Sequence, residues 1–145
     1  MDAWNPYSAK CPTRFVLNRI ADKWTVLVLA LLAGQPMRFN AIRRQIDGLS
    51  QKVLSQVLKS LERDGLVTRS VFPTVPVTVE YAITSLGSTL ATILHPITVW
   101  AEANIGPVLD AQSRYDARMQ ASGTPAADRA DLARLAATGA GRETD

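Results

Sequence analysis

The stretch "LSQKVLSQVLKSLERDGLV", residues 49–67, constrains the fold more than any other, because it is split lengthwise into two surfaces and then changes its period. At 100° per residue, Val53, Leu54, Val57, Leu58 and Leu61 fall within about 140° of arc. Gln51, Lys52, Ser55, Gln56, Lys59, Glu62 and Arg63 fill the opposite side. A segment so divided is an amphipathic helix with one face for a core and another for solvent or a ligand. Ser50 precedes it as an N-cap whose hydroxyl can accept from a free backbone N–H one turn in. Asp64 and Gly65 end it, since glycine takes the left-handed conformation without penalty.

After Gly65 the period falls from 3.6 to 2. "LVTRSVF" and "VTVEYAIT" are rich in β-branched residues, and Val77, Val79, Tyr81 and Ile83 alternate with Thr78, Glu80, Ala82 and Thr84. The link "PTVP", residues 73–76, is short and stiffened by two prolines, so a two-stranded hairpin is predicted. A bare hairpin is marginal in water and must lean on the helices.

Upstream, residues 14–20 follow Pro12 with a short helical pattern. Residues 23–33 are apolar nearly all round and read as a buried helix, stopped by Gly34 and Pro36. Residues 38–46 set Phe39, Ile42 and Ile46 at i, i+3 and i+7, a second short amphipathic helix that "DGLS" breaks. Downstream, Thr84 is another N-cap for a long helix carrying Leu86, Leu90, Ile93, Leu94, Ile97, Trp100 and Ile105. Gly106 and Pro107 are expected to end it, and Pro96 to kink or divide it. Residues 125–137 are expected as one more short helix and the final "GAGRETD" as frayed.

A chain of 145 residues supports about one domain. Its longest apolar run, "TVLVLALLAG", is far short of the roughly 20 residues a membrane span needs. The N-terminal "MDAWNPYSAK" lacks the basic start and apolar stretch of a secretory signal, so a cytoplasmic location is expected, with no membrane partner. Charge is placed unevenly: residues 10–70 hold eleven basic side chains against four acidic ones, a surplus of seven, so a total of +3 leaves −4 elsewhere. A basic half of this kind suits phosphate neutralisation, although a run of charge is commonly only a solvated face. Enzymatic chemistry finds little here. The single His95 sits before Pro96 among apolar neighbours, one Cys and one His do not make a zinc site, and there is no Gly-rich phosphate loop, G-x-S-x-G or acidic cluster. No cofactor is implied.

Short helix, turn, amphipathic helix and hairpin together make a helix-turn-helix with a wing, a mainly α (α+β) fold. The first helix, with Arg38, Arg43 and Arg44, would cross the DNA backbone, and the second would lie in the major groove. There Gln51 and Gln56 can pair with base edges, Ser50 and Ser55 can donate or accept, and Lys52 and Lys59 can reach phosphates or guanine. Glu62 and Arg63 lie at the far end and read as solvated.

The order of Cys11-Pro12, "DKWT", "RFNAIRR", "LSQKVLSQVLKSLERDGLV" and "FPTVPVTVEYAITSLG" resembles the HxlR-type branch of bacterial winged-helix transcription regulators over about two thirds of the chain. The resemblance implies a homodimer on a palindromic operator of double-stranded DNA. The N-terminal segment and the long helix would form the interface, through Leu86, Leu90, Ile93, Leu94, Ile97, Trp100 and Ile105. It further implies that Thr74, Val75 and Pro76 form the wing tip against the minor groove or backbone. Residues 1–109 would be the DNA-binding and dimerisation domain and 110–145 an Ala-rich tail, partly helical or flexible. The chain departs from that pattern at Gln51, where a proline often begins the recognition helix, and at Thr78, where the wing usually carries Arg or Lys; Arg69 would then supply phosphate affinity that the wing lacks. The tail after Leu109 has no counterpart in the pattern.

In several relatives the cysteine equivalent to Cys11 senses oxidants or electrophiles. Lys10, Arg14 and the start of a helix after Pro12 would lower its pKa. The plainer reading is a small apolar residue at the dimer interface. A redox-responsive repressor therefore competes with a regulator answering a small apolar ligand held between the long helix and Trp24 or Trp100. From another class, a winged helix can instead dock a protein partner through the polar arc.

Overall fold

The computed structural model describes residues 4–123. Its elements run α1 (Thr13–Ala21), α2 (Lys23–Gly34), β1 (Met37–Arg38), α3 (Phe39–Gln45), α4 (Gln51–Arg63), β2 (Val67–Phe72), β3 (Thr78–Ile83) and α5 (Ser85–Ala121). Helix-turn-helix followed by a hairpin wing is the winged helix-turn-helix that the periodicities imply. The sheet has three strands rather than two. β3 lies between β2 and the two-residue β1, all antiparallel, with Met37 opposite Tyr81 and Val71 opposite Val79. Arg38 thus sits in a strand at the head of α3 instead of in its first turn.

The core collects Val28, Leu29 and Leu32 from α2, Ile42 from α3, Leu54, Val57, Leu58 and Leu61 from α4, Val67 from β2 and Tyr81 from β3. Each fully buried aliphatic side chain contributes about 2 kcal/mol, so the four from α4 seat that helix firmly. Ser50 caps α4 as expected, its Oγ accepting from the Val53 N–H at 3.1 Å. Gly48 (φ +78°) turns the chain between α3 and α4, and Gly65 (φ +74°) turns it from α4 into the wing. α2 departs from the expectation of burial on all sides: Thr25, Val28, Leu29 and Leu32 are buried while Leu27, Ala30 and Ala33 are exposed.

Thr84 fastens the start of α5 to the end of α4. Its Oγ1 donates to the Gly65 carbonyl at 2.7 Å and accepts from the Gly87 N–H at 3.0 Å. Contacts divide the chain at Trp100 and Ala101, and the core and sheet belong to the first of these units.

Two expectations for the long helix are corrected, a division at Pro96 and an end at Gly106 and Pro107. α5 is unbroken at Pro96, and it runs through Gly106 and Pro107 to Ala121. The Ala-, Gln- and Arg-rich sequence beyond Leu109 has the helix propensity to carry it on. Leu94, expected at the interface, turns inward within the single chain. At 3% exposure it joins the core, because it lies about 80° around the helix from Leu86, on the side of buried Gly87. Residues 125–137 and the last residues lie outside the described part.

Candidate nucleic-acid interface

α4 projects its polar residues from three successive turns. Gln51, Lys52, Ser55, Gln56 and Lys59 together line one open hollow on its outer face. Arg43, Arg44 and Ser50 line a hollow at the turn into α4, with Asp47 and the Gly48 backbone. A third cleft holds Arg38, Asn40 and Arg44 against Pro76, Val77, Thr78 and Glu80 of the wing. Arg44 borders both of the last two, so the wing flank, the basic turn and the head of α4 adjoin in one strip.

Among the described residues none forms an ion pair with Arg38, Arg43, Arg44, Lys52 or Lys59, which leaves five cations outward and uncompensated. Arg69 is exposed on β2 opposite Tyr81 and lines none of the three hollows. At the wing tip Val75 is fully exposed, and the Thr74 hydroxyl donates to the Pro76 carbonyl at 2.8 Å.

The Cys11 thiol is 8% exposed and stands apart from the main core cluster. Its pKa lies below that of an ordinary thiol, chiefly through the Thr13 hydroxyl 3.0 Å from Sγ. Burial opposes this, the backbone at Thr13 and Asn5 assists, and the Arg14 charge contributes least. The sequence reading named Lys10 and Arg14 and missed Thr13, a short-range partner that only the turn at Pro12 brings round.

α1 has no buried residue, and Phe15, Val16 and Leu17 are exposed along it. The resemblance implied an interface for the N-terminal segment as a whole and named none of these three residues. On α5, Leu86, Ile93, Ile97 and Trp100 fall in a stripe about 60° wide and are exposed, Leu90 packs partly against the core, and Ile105 is exposed. One cross-link ties α1 to α4: Arg19 Nε meets Asp64 Oδ2, at the end of α4, at 2.6 Å.

Residues 19–108, from the end of α1 into α5, match the HxlR-like helix-turn-helix family. The chain belongs to that family. The HTH-type transcriptional regulator YtfH of Escherichia coli K12 is 39% identical over 105 residues, 72% of this chain and 83% of YtfH. The structure of the transcriptional regulator ytfH from Salmonella typhimurium superposes with a TM-score of 0.72 at 36% identity, covering 77% of this chain and 99% of that one. That of the redox regulator HypR in its oxidized form superposes with a TM-score of 0.60 at 37% identity, covering 65% and 97%. This HxlR-like protein is thus a DNA-binding transcriptional regulator of the helix-turn-helix class. None of its described helices is long and apolar enough to cross a membrane. Cys11 lies outside the residues that match the family.

Proposed function

We propose that the protein is a homodimeric repressor that binds a palindromic operator with one α4 in each of two successive major grooves. The observation that carries this is the division of α4. Leu54, Val57, Leu58 and Leu61 are buried, while Gln51, Lys52, Ser55, Gln56 and Lys59 line one open hollow. Dimerisation is supported by α1 and by the α5 stripe. A short helix that packs on its own chain chiefly through Ile20 and leaves Phe15, Val16 and Leu17 in water gains stability from a partner, and such an exposed apolar surface marks an interface. Arg38, Arg43 and Arg44 then meet phosphates on one side of the groove.

The Lys52→Ala/Gln56→Ala variant tests the assignment. Gel shifts should show loss of sequence-specific binding, and size-exclusion chromatography with light scattering should show an intact dimer. Retained specificity would exclude α4 as the reader.

Cys11 supports a redox input to this repressor, because its lowered pKa favours thiolate, the nucleophilic form. The turn that covers it is held by few bonds, among them Ser8 N–H to Asn5 O and Cys11 N–H to Ser8 O, both 3.1 Å, so local opening admits an oxidant. Two such thiols, one per subunit, would surrender two electrons and two protons to a quinone or similar acceptor and join as a disulfide.

A second reading, a ligand-responsive regulator without redox sensing, is favoured by a groove of about 440 Å³ between α2 and α5. Val26, Ala30, Ala91 and His95 are among its lining, and neither Trp24 nor Trp100 is, contrary to the sequence expectation.

A further inference from the structure

The end of α4 farthest from its first polar residues is held from two sides. Asp64 caps it, its backbone N–H donating to the Ser60 carbonyl at 3.0 Å. A carboxylate at a helix C-terminus meets the negative end of the macrodipole, an arrangement that calls for a cation. The cation comes from 45 residues away: Arg19, in the last turn of α1, sets its Nε 2.6 Å from Asp64 Oδ2. Its neighbour Ile20 packs against the core, so the guanidinium extends from a seated turn. On the other side, the Thr84 hydroxyl donates to the Gly65 carbonyl at 2.7 Å and the Thr84 N–H to the Leu66 carbonyl at 3.0 Å.

What such a hold can do follows from the length of the helix. From Gln51 to Asp64 is about 20 Å, so a tilt of about 5° at the tail carries the head through about 1.7 Å. A hydrogen bond to a base edge is lost within less than that, since one drawn out to about 3.6 Å no longer counts as a bond. The buried Leu54, Val57, Leu58 and Leu61 decide which face of α4 turns inward. Apolar contact has no preferred direction, however, and by itself leaves such a tilt open. A short charged contact at the tail closes it.

Resting on α4 as the reader of base edges, we propose that Arg19 is a positioning residue for DNA recognition. Through Asp64 it fixes the tilt at which α4 presents Gln51, Lys52, Ser55 and Gln56, and it touches no phosphate itself. The helix that follows Cys11 and carries Phe15, Val16 and Leu17 on its open face is thereby also the helix that aligns the reader. A displacement of α1 is passed to the DNA-contacting end through this one pair.

The test measures affinity for a duplex selected from a random-sequence pool by the full-length protein, and for a scrambled duplex of the same composition. The readout is the ratio of the two. By charge alone, loss of a carboxylate tightens both complexes and leaves the ratio as it was. Asp64→Asn should instead lower the ratio by about threefold, the scale of a pair whose side chains are one-third exposed, and Arg19→Gln should lower it equally. The Arg19→Gln/Asp64→Asn variant should again lose about threefold and not about ninefold, because all three remove one interaction. Arg19→Asp/Asp64→Arg should recover the ratio that Arg19→Asp lowers. The slope of log affinity against log salt should be the same for Arg19→Gln as for the parent; a slope shallower by about 0.9 or more would make Arg19 a phosphate contact and overturn the proposal. Unchanged ratios in both single variants, with or without a lower urea midpoint, would reduce the pair to a brace for stability and overturn it too, while DNA binding stands. If Lys52→Ala/Gln56→Ala keeps the parent ratio, or no sequence is enriched from the pool, the reading of α4 falls and the role of Arg19 with it.

Discussion

At the scale of single residues, Cys11 shows how a side chain three bonds long can outweigh a full charge. Arg14 carries a formal charge but contributes least to the lowered thiol pKa, and Lys10 is not among its causes; the neutral Thr13 hydroxyl at 3.0 Å contributes most. A short, directed hydrogen bond acts on the thiolate itself, whereas a mobile surface guanidinium is screened by water. Thr13→Val should therefore raise the Cys11 pKa, moving the midpoint of the iodoacetamide rate-against-pH curve upward and slowing alkylation at pH 7. Cys11→Ser serves as the blank. A midpoint that does not move removes the hydroxyl from the account. The sign for stability follows from the native pKa being the lower one. Ionisation favours the folded form fully above the ordinary thiol value, and that benefit disappears as the pH falls through the native value. Thr13→Val should thus cost stability in the alkaline range, with its effect through this thiol absent at acid pH.

At the scale of elements, the junction between the end of α4 and the start of α5 is made by close backbone approach. A methyl group on buried Gly87 would overlap the Leu66 carbonyl oxygen and crowd Ile83 Cγ1 at 2.7 Å. Gly87→Ala should accordingly lower stability by about 1–3 kcal/mol, read as a shift in urea midpoint. Gly34→Ala, with nothing within 4 Å, should stay within about 0.5 kcal/mol of the parent. Equal midpoints for the two variants would refute the close approach. That junction also marks where sequence reading works and where it stops. The two faces of α4, its Ser50 cap, the Gly65 turn and the hairpin are all set by neighbours within a turn or a strand, so their periods are legible in the chain. β1 is two residues long and has no period to read; it exists only because Met37 and Arg38 lie beside Tyr81 and Glu80. α5 hides its true length for the opposite reason. Gly106 and Pro107 are local stop signals, but helix-favouring sequence on both sides outweighs them. Leu94 packs in the core of the single chain because core and stripe share adjacent arcs of one helix. On the candidate interface, the residue types of α4 were readable, while the strip joining Arg38 and Arg44 to the wing needs the three-dimensional turn.

At the scale of the whole molecule, the separation of charge gives a way to count subunits on DNA. The chain directs Arg38, Arg43, Arg44, Lys52 and Lys59 outward without an ion pair among the described residues. Cations that meet phosphates release counterions, and the slope of log affinity against log salt changes by about 0.9 for each such contact. Arg44 borders both the wing cleft and the hollow at the head of α4, so it is the cation best placed for a phosphate at the groove edge. A symmetric dimer loses two copies of that contact when Arg44 is replaced. Titrations of Arg44→Ala against its selected duplex between about 50 and 200 mM salt should then give a slope shallower by about 1.8. A change of about 0.9 would mean that one protomer engages DNA, against the dimer on a palindrome, and an unchanged slope would take Arg44 off the phosphates altogether. Because the slope depends on contacts made and not on the stability of the free protein, this count is insensitive to any small loss of folding that the substitution brings.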